Sequence, residues 1–350
     1  MRTRIAYWTS SFEAEMEAIA SEVATLRRHF PASVTWGLSH RRWALVSPRR
    51  GNYCLNPKLH LLFRGATRLL EPIFHLNHIF GSLDDWFYLQ GMRRRPTVLT
   101  MAVVSELTNP YLMERVDRFV VEFESAREQL LREGISPNRI RIIFPPVNLA
   151  KFAPTNRPDG PFTVLFASSP ELPSWLEARG LPQLLDAAAL RPEMRFRLLW
   201  RPWGTSRETI GNWVRERGLR NVEIIDGRVE DMPSEYRSAH VTVAPFTRMD
   251  RCKPMTNSLI ESLACGRPIL CTPEVGLARS VEESRAGVVV RAVGDDIAEG
   301  LDRLRADWAT YSAASRSLAE RSFSLEQFVK GYRRTYYEVL RNQLKSSLCL

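Results

Sequence analysis

With 350 residues, of which 44% are hydrophobic and 25% are charged, the chain is long enough for two globular domains and too apolar for global disorder. No apolar run reaches the roughly 18 residues of a membrane-spanning helix, and the first residues lack the apolar centre of a signal peptide. The formal net charge of +10 indicates either a polyanionic partner or simply a well-solvated, arginine-rich surface.

The first half of the chain alternates short apolar runs with helical patterns. Residues 4–8 predict a strand, and residues 11–30 predict a helix with Ser11 at its N-cap. The helical pattern SAREQLLREG ends on Gly134, a residue typical of helix C-termini. The apolar runs that follow the first helix are SVTWGL, WALVS, PIFHLNHIF, TVLTMAVV, DRFVVEF and RIRIIFPPV.

A segment rich in Pro, Gly, Asn and Asp at residues 153–161 interrupts this alternation and predicts an interdomain linker. The alternation then restarts, with the apolar runs PFTVLFASS, FRLLW, VEIID, VTVAPF, PILCT and GVVV separated by helical patterns. Strand alternating with helix predicts an α/β fold, with parallel sheets covered on both faces and ligands bound beyond the carboxyl ends of the strands. We therefore predict two Rossmann-like domains, residues 1–155 and 156–325, followed by a last helix at 326–350.

The stretch KPMTNSLIESLACGRP, from Lys253 to Pro268, joins a helix start to a carboxylate one turn inside the helix. With Thr256 or Ser258 as N-cap, the unpaired N–H groups of the first turn form a site suited to phosphate. Glu261 would then accept hydrogen bonds from a ribose diol, so the pattern suits a nucleotide. Ser258 and Glu261 also have the spacing of a capping box, in which Glu261 would serve the helix start alone.

The same stretch resembles the retaining nucleotide-sugar glycosyltransferases of family 4, which have the two-domain GT-B fold. Their Glu-x7-Glu motif runs into a helix of the form E-A-x-A-x-G-x-P, which ESLACGRP matches closely. Four more segments are similar in the family's order: DRFVVEFESAREQLLREGISPNRIRIIFPPVNLAKFAP, RGLPQLL, VEIIDGRV and VTVAPF. The resemblance covers about residues 115–340, and it implies that the last helix returns to the first domain.

The resemblance implies roles for individual residues. Glu261 would bind the ribose hydroxyls, Arg179 would replace a lysine that neutralises the donor diphosphate, and Gly227, Arg228 and Val229 would border the nucleobase. Arg179 could instead be a surface charge and Gly227 only a turn residue. The donor-nucleotide residues predicted in this way are Glu261, Asn257, Ser258, Thr256, Arg201, Arg228, Val229 and Ser169.

Two departures from the family pattern lie in the second half. The first glutamate of the motif, which faces the donor sugar in the family, is Lys253 here. The basic residue that usually closes the first strand of the second domain falls near Ser168 and Ser169, so one diphosphate counter-ion is missing. We predict that Lys253, Arg251 or Arg201 restores it.

Two more departures lie in the first half. The histidine that ends one strand in many relatives is absent from residues 99–102, Leu-Thr-Met-Ala, and Thr9, Ser10 and Ser11 replace the glycines of the first loop. His75 and His78 are candidates to line the cleft that we expect between the two domains, although a histidine beside apolar residues is more often simply packed. The predicted catalytic residues are Lys253, Arg179 and His78, and those on the acceptor side are Ser10, Ser11 and His75.

We predict a glycosyltransferase that moves a sugar from a nucleoside diphosphate to an acceptor with retention of configuration. The alternative is a degenerate homologue that binds a nucleotide or nucleotide sugar without turnover, which the missing histidine and glutamate favour. The chain has no Asp-x-Asp and no cluster with metal-ligand spacing, so we expect no metal and no cofactor besides the co-substrate. The acceptor would be a glycan, a lipid-linked molecule or a small molecule.

The charge is concentrated in the first half, where residues 1–155 carry 21 Lys and Arg against 14 Asp and Glu; the remainder carries 28 against 25. An anionic membrane surface is therefore a predicted partner, whereas nucleic acid is not, because no binding motif accompanies the arginines. The five cysteines form no CxxC pair and are odd in number, which predicts a cytoplasmic protein, peripheral on the membrane if it binds there.

Overall fold

The computed structural model describes residues 3–14, 17–40, 43–47, 50–82, 86–91, 95–103, 109–202, 204–249 and 253–348. The chain forms two compact units. Unit 1 contains Met1–Pro145 together with Glu326–Leu350, and unit 2 contains Pro146–Leu325. The division thus falls ahead of the break at residues 153–161, which lies inside unit 2.

Unit 1 is built on an eight-stranded sheet with the order β3-β4-β2-β1-β5-β6-β7-β8, parallel except for β3 against β4. Its strands are β1 Ile5–Trp8, β2 Ser33–Leu38, β3 Ala44–Ser47, β4 Asn52–Leu55, β5 Leu76–Gly81, β6 Thr97–Met101, β7 Arg118–Val121 and β8 Ile140–Ile142. Its first helices are α1 Ala18–His29, α2 His60–Leu70, α3 Trp86–Gly91 and α4 Glu124–Arg132, and a 3-10 turn, Pro57–Leu59, leads into α2.

Unit 2 is built on a six-stranded parallel sheet with the order β11-β10-β9-β12-β13-β14. Its strands are β9 Thr163–Phe166, β10 Arg195–Trp200, β11 Val222–Asp226, β12 Val241–Ala244, β13 Ile269–Cys271 and β14 Gly287–Val289. Its helices are α5 Leu181–Leu190, α6 Ser206–Glu216, α7 Met232–Ser238, α8 Asn257–Ala264, α9 Ala278–Ser284, α10 Gly294–Ala306 and α11 Trp308–Ser322. The long α12, Leu325–Leu348, follows.

The central strands of unit 2 are buried along their whole length, as β9 and β12 show. Strands covered on both faces read as continuous apolar runs, which is why the sequence marks them clearly. The edge strand β11 is only partly buried. The predicted α/β class, with two mainly parallel sheets, is confirmed.

Helix α12 packs on the sheet of unit 1 through a buried polar network. His78, in the middle of β5, hydrogen-bonds Tyr336 Oη at 2.8 Å through Nδ1 and Thr100 Oγ1 at 2.7 Å through Nε2. Thr100 also lies 3.0 Å from Tyr332 Oη, and Tyr336 Oη lies 3.3 Å from Tyr7 Oη. All of these side chains are fully or almost fully buried. The network therefore aligns α12 on three neighbouring strands, β1, β5 and β6.

The start of α1 differs from its prediction. The helix begins at Ala18 with Glu17 as its N-cap residue, not at Ser11. The Glu17 carboxylate accepts hydrogen bonds from the backbone N–H groups of Phe12 and Glu13, so it stabilises a loop where a first helical turn was expected. The backbone N–H of Ser11 donates to Thr9 Oγ1 at 3.1 Å. At the end of α4, Gly134 adopts a positive φ of 79°, as its predicted C-terminal position requires.

Candidate functional site

The strand order of unit 2 reverses between β9 and β12, which are neighbours in the sheet although they are the first and fourth of its strands along the chain. At such a point the loops that follow the two strands lead to opposite faces, and the carboxyl edge opens into a crevice suited to a ligand. Ser168 and Ser169 follow β9, and Pro245 and Phe246 follow β12. The candidate site is assembled from these loops and their neighbours.

A close backbone approach joins the loop before α5 to the loop after β12. Gly180 has φ of 66°, and a Cβ atom there would lie 1.7 Å from the carbonyl oxygen of Pro245, so no larger residue fits. Thr247 completes the connection: its N–H donates to Ala178 O at 3.0 Å and its hydroxyl to Glu177 O at 2.9 Å.

This connection fixes the position of Arg179. Its guanidinium lies 5.1 Å from the ring centroid of Phe246, directly after β12, and the side chain is almost fully buried. A guanidinium over an aromatic face is a favourable cation–π arrangement. The predicted counter-ion therefore lies beside the switch point of the sheet, and the reading of Arg179 as a surface charge is wrong.

The start of α8 presents two buried polar atoms. Thr256 is the N-cap residue, but its side chain makes no capping hydrogen bond. Thr256 Oγ1 and Asn257 Oδ1 are both buried, and within the part of the chain that the structure describes neither has a hydrogen-bond partner. Such atoms are costly to leave unsatisfied, and here they lie beside the N–H groups and positive dipole of a helix N-terminus.

The segment before α8 is held by the loop after β13. Gly276 N–H donates to Pro254 O at 3.2 Å, and Thr272 Oγ1 donates to Phe246 O at 2.6 Å. Lys253 is half-buried at the beginning of this segment. Arg251, the other proposed counter-ion, lies outside the described residues.

Glu261 does not act in a capping box. Ser258 is half-buried in the first turn of α8 and is not the N-cap. The Glu261 carboxylate instead accepts a hydrogen bond at 2.9 Å from the hydroxyl of Tyr236, a fully buried residue on α7. The capping-box interpretation is therefore wrong, and Glu261 is oriented by a neighbouring helix.

Two opposing effects set the acidity of Glu261. Burial raises its pKa, whereas the Tyr236 hydrogen bond and the positive charges of Lys151 and Arg201 lower it; burial prevails, and the pKa is about 7. Burial likewise raises the pKa of Tyr236 well above its ordinary value, with the Glu261 charge adding to the effect. The hydroxyl thus stays protonated and remains a donor to the carboxylate.

Arg201 and Ser169 meet where β9 and β10 end. The backbone N–H of Arg201 donates to Ser169 Oγ at 3.1 Å. Desolvation lowers the pKa of Arg201, and the nearby Tyr236 and Glu261 oppose that shift. Two residues that were predicted separately therefore lie together, and the Arg201 charge acts on Glu261.

The turn after β11 lies next to the end of β10. Gly227 has φ of 107° and donates its N–H to Trp200 O at 2.9 Å, so it occupies a turn, and its place beside a nucleobase stays a prediction. Arg228 is exposed and Val229 is half-buried. Both follow a strand at the carboxyl edge of the sheet.

The histidine predictions require correction. His78 lies inside the core of unit 1 with both ring nitrogens hydrogen-bonded, and burial lowers its pKa to about 3. A neutral, enclosed imidazole cannot reach a substrate, so His78 is not a catalytic residue. His75 precedes β5, at the amino end of the strand, where its Nδ1 accepts from Arg4 N–H at 3.0 Å. Ligands bind at the opposite edge, so His75 is not on the acceptor side.

The first loop of unit 1 does lie at the carboxyl end of a strand. Ser10 is exposed and Ser11 half-buried directly after β1. A Cβ atom on Gly37 of β2 would lie 1.7 Å from Thr9 O, so the loop packs closely against its neighbour. This position is compatible with the proposed acceptor side.

Sequence reasoning did not identify Tyr236 and Lys151, the two other groups that act on Glu261. Tyr236 lies on the buried face of α7, in a pattern that any core aromatic residue would produce. Its pairing with Glu261 arises only from the packing of α7 beside α8.

No cluster of three or more His, Cys, Asp or Glu side chains suited to a metal ion occurs among the described residues. No described helix is long and apolar enough to cross a membrane.

Residues 164–307 match the family described as "Glycosyl transferases group 1". The matched residues all lie within unit 2. Apart from Thr163, the first residue of β9, the elements that build the crevice of unit 2, from β9 to α8, lie within the matched residues.

Two curated relatives match most of the chain at low sequence identity. The chain is 24% identical over 293 residues to the D-inositol 3-phosphate glycosyltransferase of Mycolicibacterium vanbaalenii, an alignment covering 77% of this chain and 63% of the relative. The enzyme of the same description from Nocardiopsis dassonvillei is 28% identical over 251 residues, or 65% of this chain and 56% of the relative. The chain therefore spans less than two thirds of the length of these relatives.

Solved structures share the fold over nearly the whole chain. HepE of Anabaena, solved with UDP and glucose, matches with a TM-score of 0.76 at 12% identity and covers 96% of this chain and 99% of its own. Sucrose-phosphate synthase of Thermosynechococcus elongatus matches with a TM-score of 0.76 at 17% identity and covers 97% of this chain and 100% of its own. The predicted GT-B fold is confirmed.

Proposed function

We propose that the protein is a glycosyltransferase that takes a sugar from a nucleoside diphosphate bound in unit 2 and transfers it to an acceptor with retention of configuration. The observation that carries this proposal is the Tyr236-oriented Glu261 carboxylate, one turn inside a helix whose first residues have unsatisfied polar atoms. The match of residues 164–307 to glycosyl transferases group 1 supports it, as does the UDP bound to HepE.

Glu261 would hold the ribose. A carboxylate can accept two hydrogen bonds from the two hydroxyls of a ribose diol, and charge-assisted bonds of this kind are strong. Tyr236 occupies one position on Oε2 and fixes the direction of the carboxylate. The position one turn deeper than the N-terminus of α8 separates the ribose from the phosphates.

The diphosphate would lie at the N-terminus of α8. The first N–H groups of a helix and its dipole attract phosphate, and Thr256 Oγ1 can donate a further hydrogen bond. Arg179, Arg201 and Lys253 are the cations that we assign to the charge of the diphosphate. That charge grows as the bond to the sugar breaks, so the cations would stabilise the leaving group and accelerate transfer.

The acceptor would be bound by unit 1. D-inositol 3-phosphate is the substrate in the names of both curated relatives, which suggests a phosphorylated or otherwise anionic acceptor. The excess of basic residues in the first 155 positions agrees with this chemistry. Ser10 and Ser11 at the end of β1 are the acceptor-side residues that we retain.

The test combines binding with turnover. Calorimetry with uridine, UMP, UDP and UDP-glucose should show affinity that rises from the nucleoside to the diphosphate, and Glu261→Ala should weaken all four ligands. Incubation of UDP-sugars with D-inositol 3-phosphate, with and without EDTA, should release UDP, and the anomeric proton coupling of the product reports retention. Failure of every nucleotide to bind would reject the donor site, whereas binding without product across an acceptor panel would favour the degenerate homologue.

A further inference from the structure

Arg267 lies three residues beyond the end of α8, and its side chain is completely buried. Burial lowers the pKa of its guanidinium to about 10, so the group remains positively charged near neutral pH. In the described part of the chain its hydrogen bonds go to main-chain carbonyls and to the Thr155 hydroxyl, and to no carboxylate. A buried cation is costly unless its donors are satisfied, so these contacts determine where the bonded segments lie.

One side of the guanidinium closes the C-terminal end of α7. Arg267 Nε donates to Tyr236 O at 3.3 Å, and Nη2 donates to Arg237 O at 2.9 Å. Both carbonyls belong to the last turn of α7, where a positive charge also meets the negative end of the helix dipole. A helix of 7 residues is not stable by itself, so the placement of α7 depends on contacts of this kind.

Tyr236 is thereby held at both of its ends by one stretch of chain. Its hydroxyl donates to Glu261 Oε2 at 2.9 Å, and its carbonyl accepts from Arg267, six residues further along. The Tyr236 ring lies between these two contacts, and the ring centroid of Phe152 is 6.0 Å away. Rotation of α7 about its axis would move the hydroxyl away from Glu261, and the same rotation would break the bond to Arg267.

The other side of the guanidinium is anchored to residues 155 and 156 and to a tryptophan. Nη1 donates to Thr155 O at 3.1 Å, and Nη2 donates to Thr155 Oγ1 at 2.6 Å and to Asn156 O at 3.0 Å. The guanidinium carbon lies 5.3 Å from the ring centroid of Trp308, whose Nε1 donates to His240 O at 2.7 Å. Arg267 is therefore fixed by segments other than α7, and it can determine the position of Tyr236.

We propose that Arg267 is a positioning residue: it fixes the main chain of Tyr236 and so keeps the tyrosine hydroxyl on the Glu261 carboxylate. Its importance for donor binding rests on the function proposed above, in which Glu261 holds the ribose. A guanidinium is suited to this role because its planar array of donors can bond α7 and residues 155–156 at once. A lysine carries a single nitrogen and cannot bond both segments in this way.

The groups around Glu261 indicate that Arg267 acts through the tyrosine. Burial is the largest influence on the pKa of Glu261. The charged and titratable groups of the described chain that interact with this carboxylate are Tyr236, Lys151, Arg201 and Cys265. Arg267 is not one of them, so its charge does not act on Glu261 directly. Any effect of Arg267 on the carboxylate must pass through the bond from Tyr236.

The first measurement uses the full chain without nucleotide. NMR of protein with isotope-labelled glutamate carboxyls follows the titration of Glu261, whose signal is assigned by its absence in Glu261→Gln. Arg267→Lys keeps the charge but cannot bond both segments, so it should weaken the Tyr236 bond and raise the Glu261 pKa by about one unit. Affinity for UDP at pH 6 should then fall about tenfold. Arg267→Gln should have a larger effect, and Arg267→Lys decides the question if Arg267→Gln does not fold.

A double-mutant cycle tests the route of this effect. In protein that already carries Tyr236→Phe, Arg267→Lys should cause no further change in the titration of Glu261, because the hydroxyl that it positions is gone. A shift of equal size with and without that hydroxyl would overturn the proposal, since Arg267 would then act on the carboxylate by another route.

Leu301→Ala is the matched control for lost stability, because it truncates a completely buried residue of α10. It should lower the temperature of unfolding and leave the titration of Glu261 unchanged. If Arg267→Lys behaves in the same way, Arg267 has only a structural role and the proposal is wrong. A fall of the Glu261 pKa towards its ordinary value would also overturn it, because entry of water lowers the pKa of a buried carboxyl whereas loss of the Tyr236 bond raises it. A raised pKa in a protein that binds no UDP would support the role of Arg267 and reject the donor site.

Discussion

The hydroxyl of Tyr236 donates a hydrogen bond to Oε2 of Glu261 at 2.9 Å, and this contact joins α7 to the carboxylate of α8. Burial nevertheless holds the pKa of Glu261 at about 7. In the free protein near neutral pH the carboxylate is therefore partly protonated. A ligand that needs the ionised form must displace that proton.

This relationship predicts a pH-dependent affinity for UDP. Because a ribose diol donates to an ionised carboxylate, affinity should fall about tenfold for each pH unit below about 7 and level off above it. Calorimetry in buffers of different ionisation enthalpy should detect proton release on binding at pH 6. Glu261→Gln should bind more weakly and lose this pH dependence. A wild-type profile that is flat from about pH 5.5 to about pH 8 would refute the assignment.

Tyr236→Phe tests the orienting hydroxyl. The hydrogen bond from Tyr236 lowers the pKa of Glu261, so its loss should raise that pKa above about 7. A bond to a charged group contributes about 1.5 to 3 kcal/mol, which corresponds to a shift of the UDP binding profile by about one to two pH units. Tyr332→Phe, which removes a buried hydroxyl from the core of unit 1, is the matched control and should not move the profile. A uniform loss of affinity at every pH would instead indicate a purely structural role for Tyr236.

Lys253→Ala tests the role of the lysine that stands where the family motif has its first glutamate. If Lys253 neutralises the diphosphate, the variant should bind UDP about ten- to a hundredfold more weakly and uridine unchanged, because a charge-assisted bond contributes about 1.5 to 3 kcal/mol. If Lys253 contacts the sugar, UDP affinity should persist while UDP-glucose affinity falls. Arg303→Ala removes the same charge from α10, outside the loops of the crevice, and corrects for long-range attraction. Unchanged affinity for all ligands would remove Lys253 from the site.

Gly180→Ala tests the backbone approach that positions Arg179. The new Cβ atom would lie 1.7 Å from Pro245 O, and the residue would keep a left-handed φ. We expect a loss of about 2 to 4 kcal/mol in the free energy of unfolding of unit 2, from the left-handed backbone and overpacking together. Gly218→Ala has a similar φ of 62° but meets nothing within 4 Å, so only the backbone cost of about 1 to 2 kcal/mol applies. Equal losses in urea unfolding of the two variants would show that the close approach is relaxed in solution.

The pattern of apolar residues in the sequence was sufficient to predict the strands that are completely buried. The strands β9 and β12 lie between two layers of helices, so their apolar runs are continuous and their order predicts the parallel sheet. The apolar pattern did not predict segments that are short and partly polar. Strand β4, with the sequence NYCL, was not predicted for this reason. Helix α2 was also missed, because half of its apolar residues face outward and so contradict the usual relation between periodicity and core.

Only the part of the candidate site that lies within one continuous stretch of sequence could be predicted. Glu261 and the start of α8 belong to a single stretch, and the resemblance of that stretch to a family motif implies the roles that we propose for them. The contribution of Tyr236 depends on which side chain of α7 meets α8, which no spacing reveals. His78 illustrates the opposite error: its strand was predicted correctly, but only the sheet register shows that Tyr7 and Val98 flank it on both sides.

Unit 1 is discontinuous, and this determines when it can be completed during translation. The ribosome delivers residues 1–145 first, yet Tyr332 and Tyr336, which hydrogen-bond with His78, Thr100 and Tyr7, emerge only after all of unit 2. Unit 2 is a single uninterrupted stretch and has its whole core available earlier. The usual order, in which the N-terminal domain of a growing chain finishes folding first, is therefore reversed in this protein. Until α12 arrives, the sheet of unit 1 carries an uncovered aromatic and polar face, and transiently exposed surface of this kind makes an incompletely folded chain prone to aggregation.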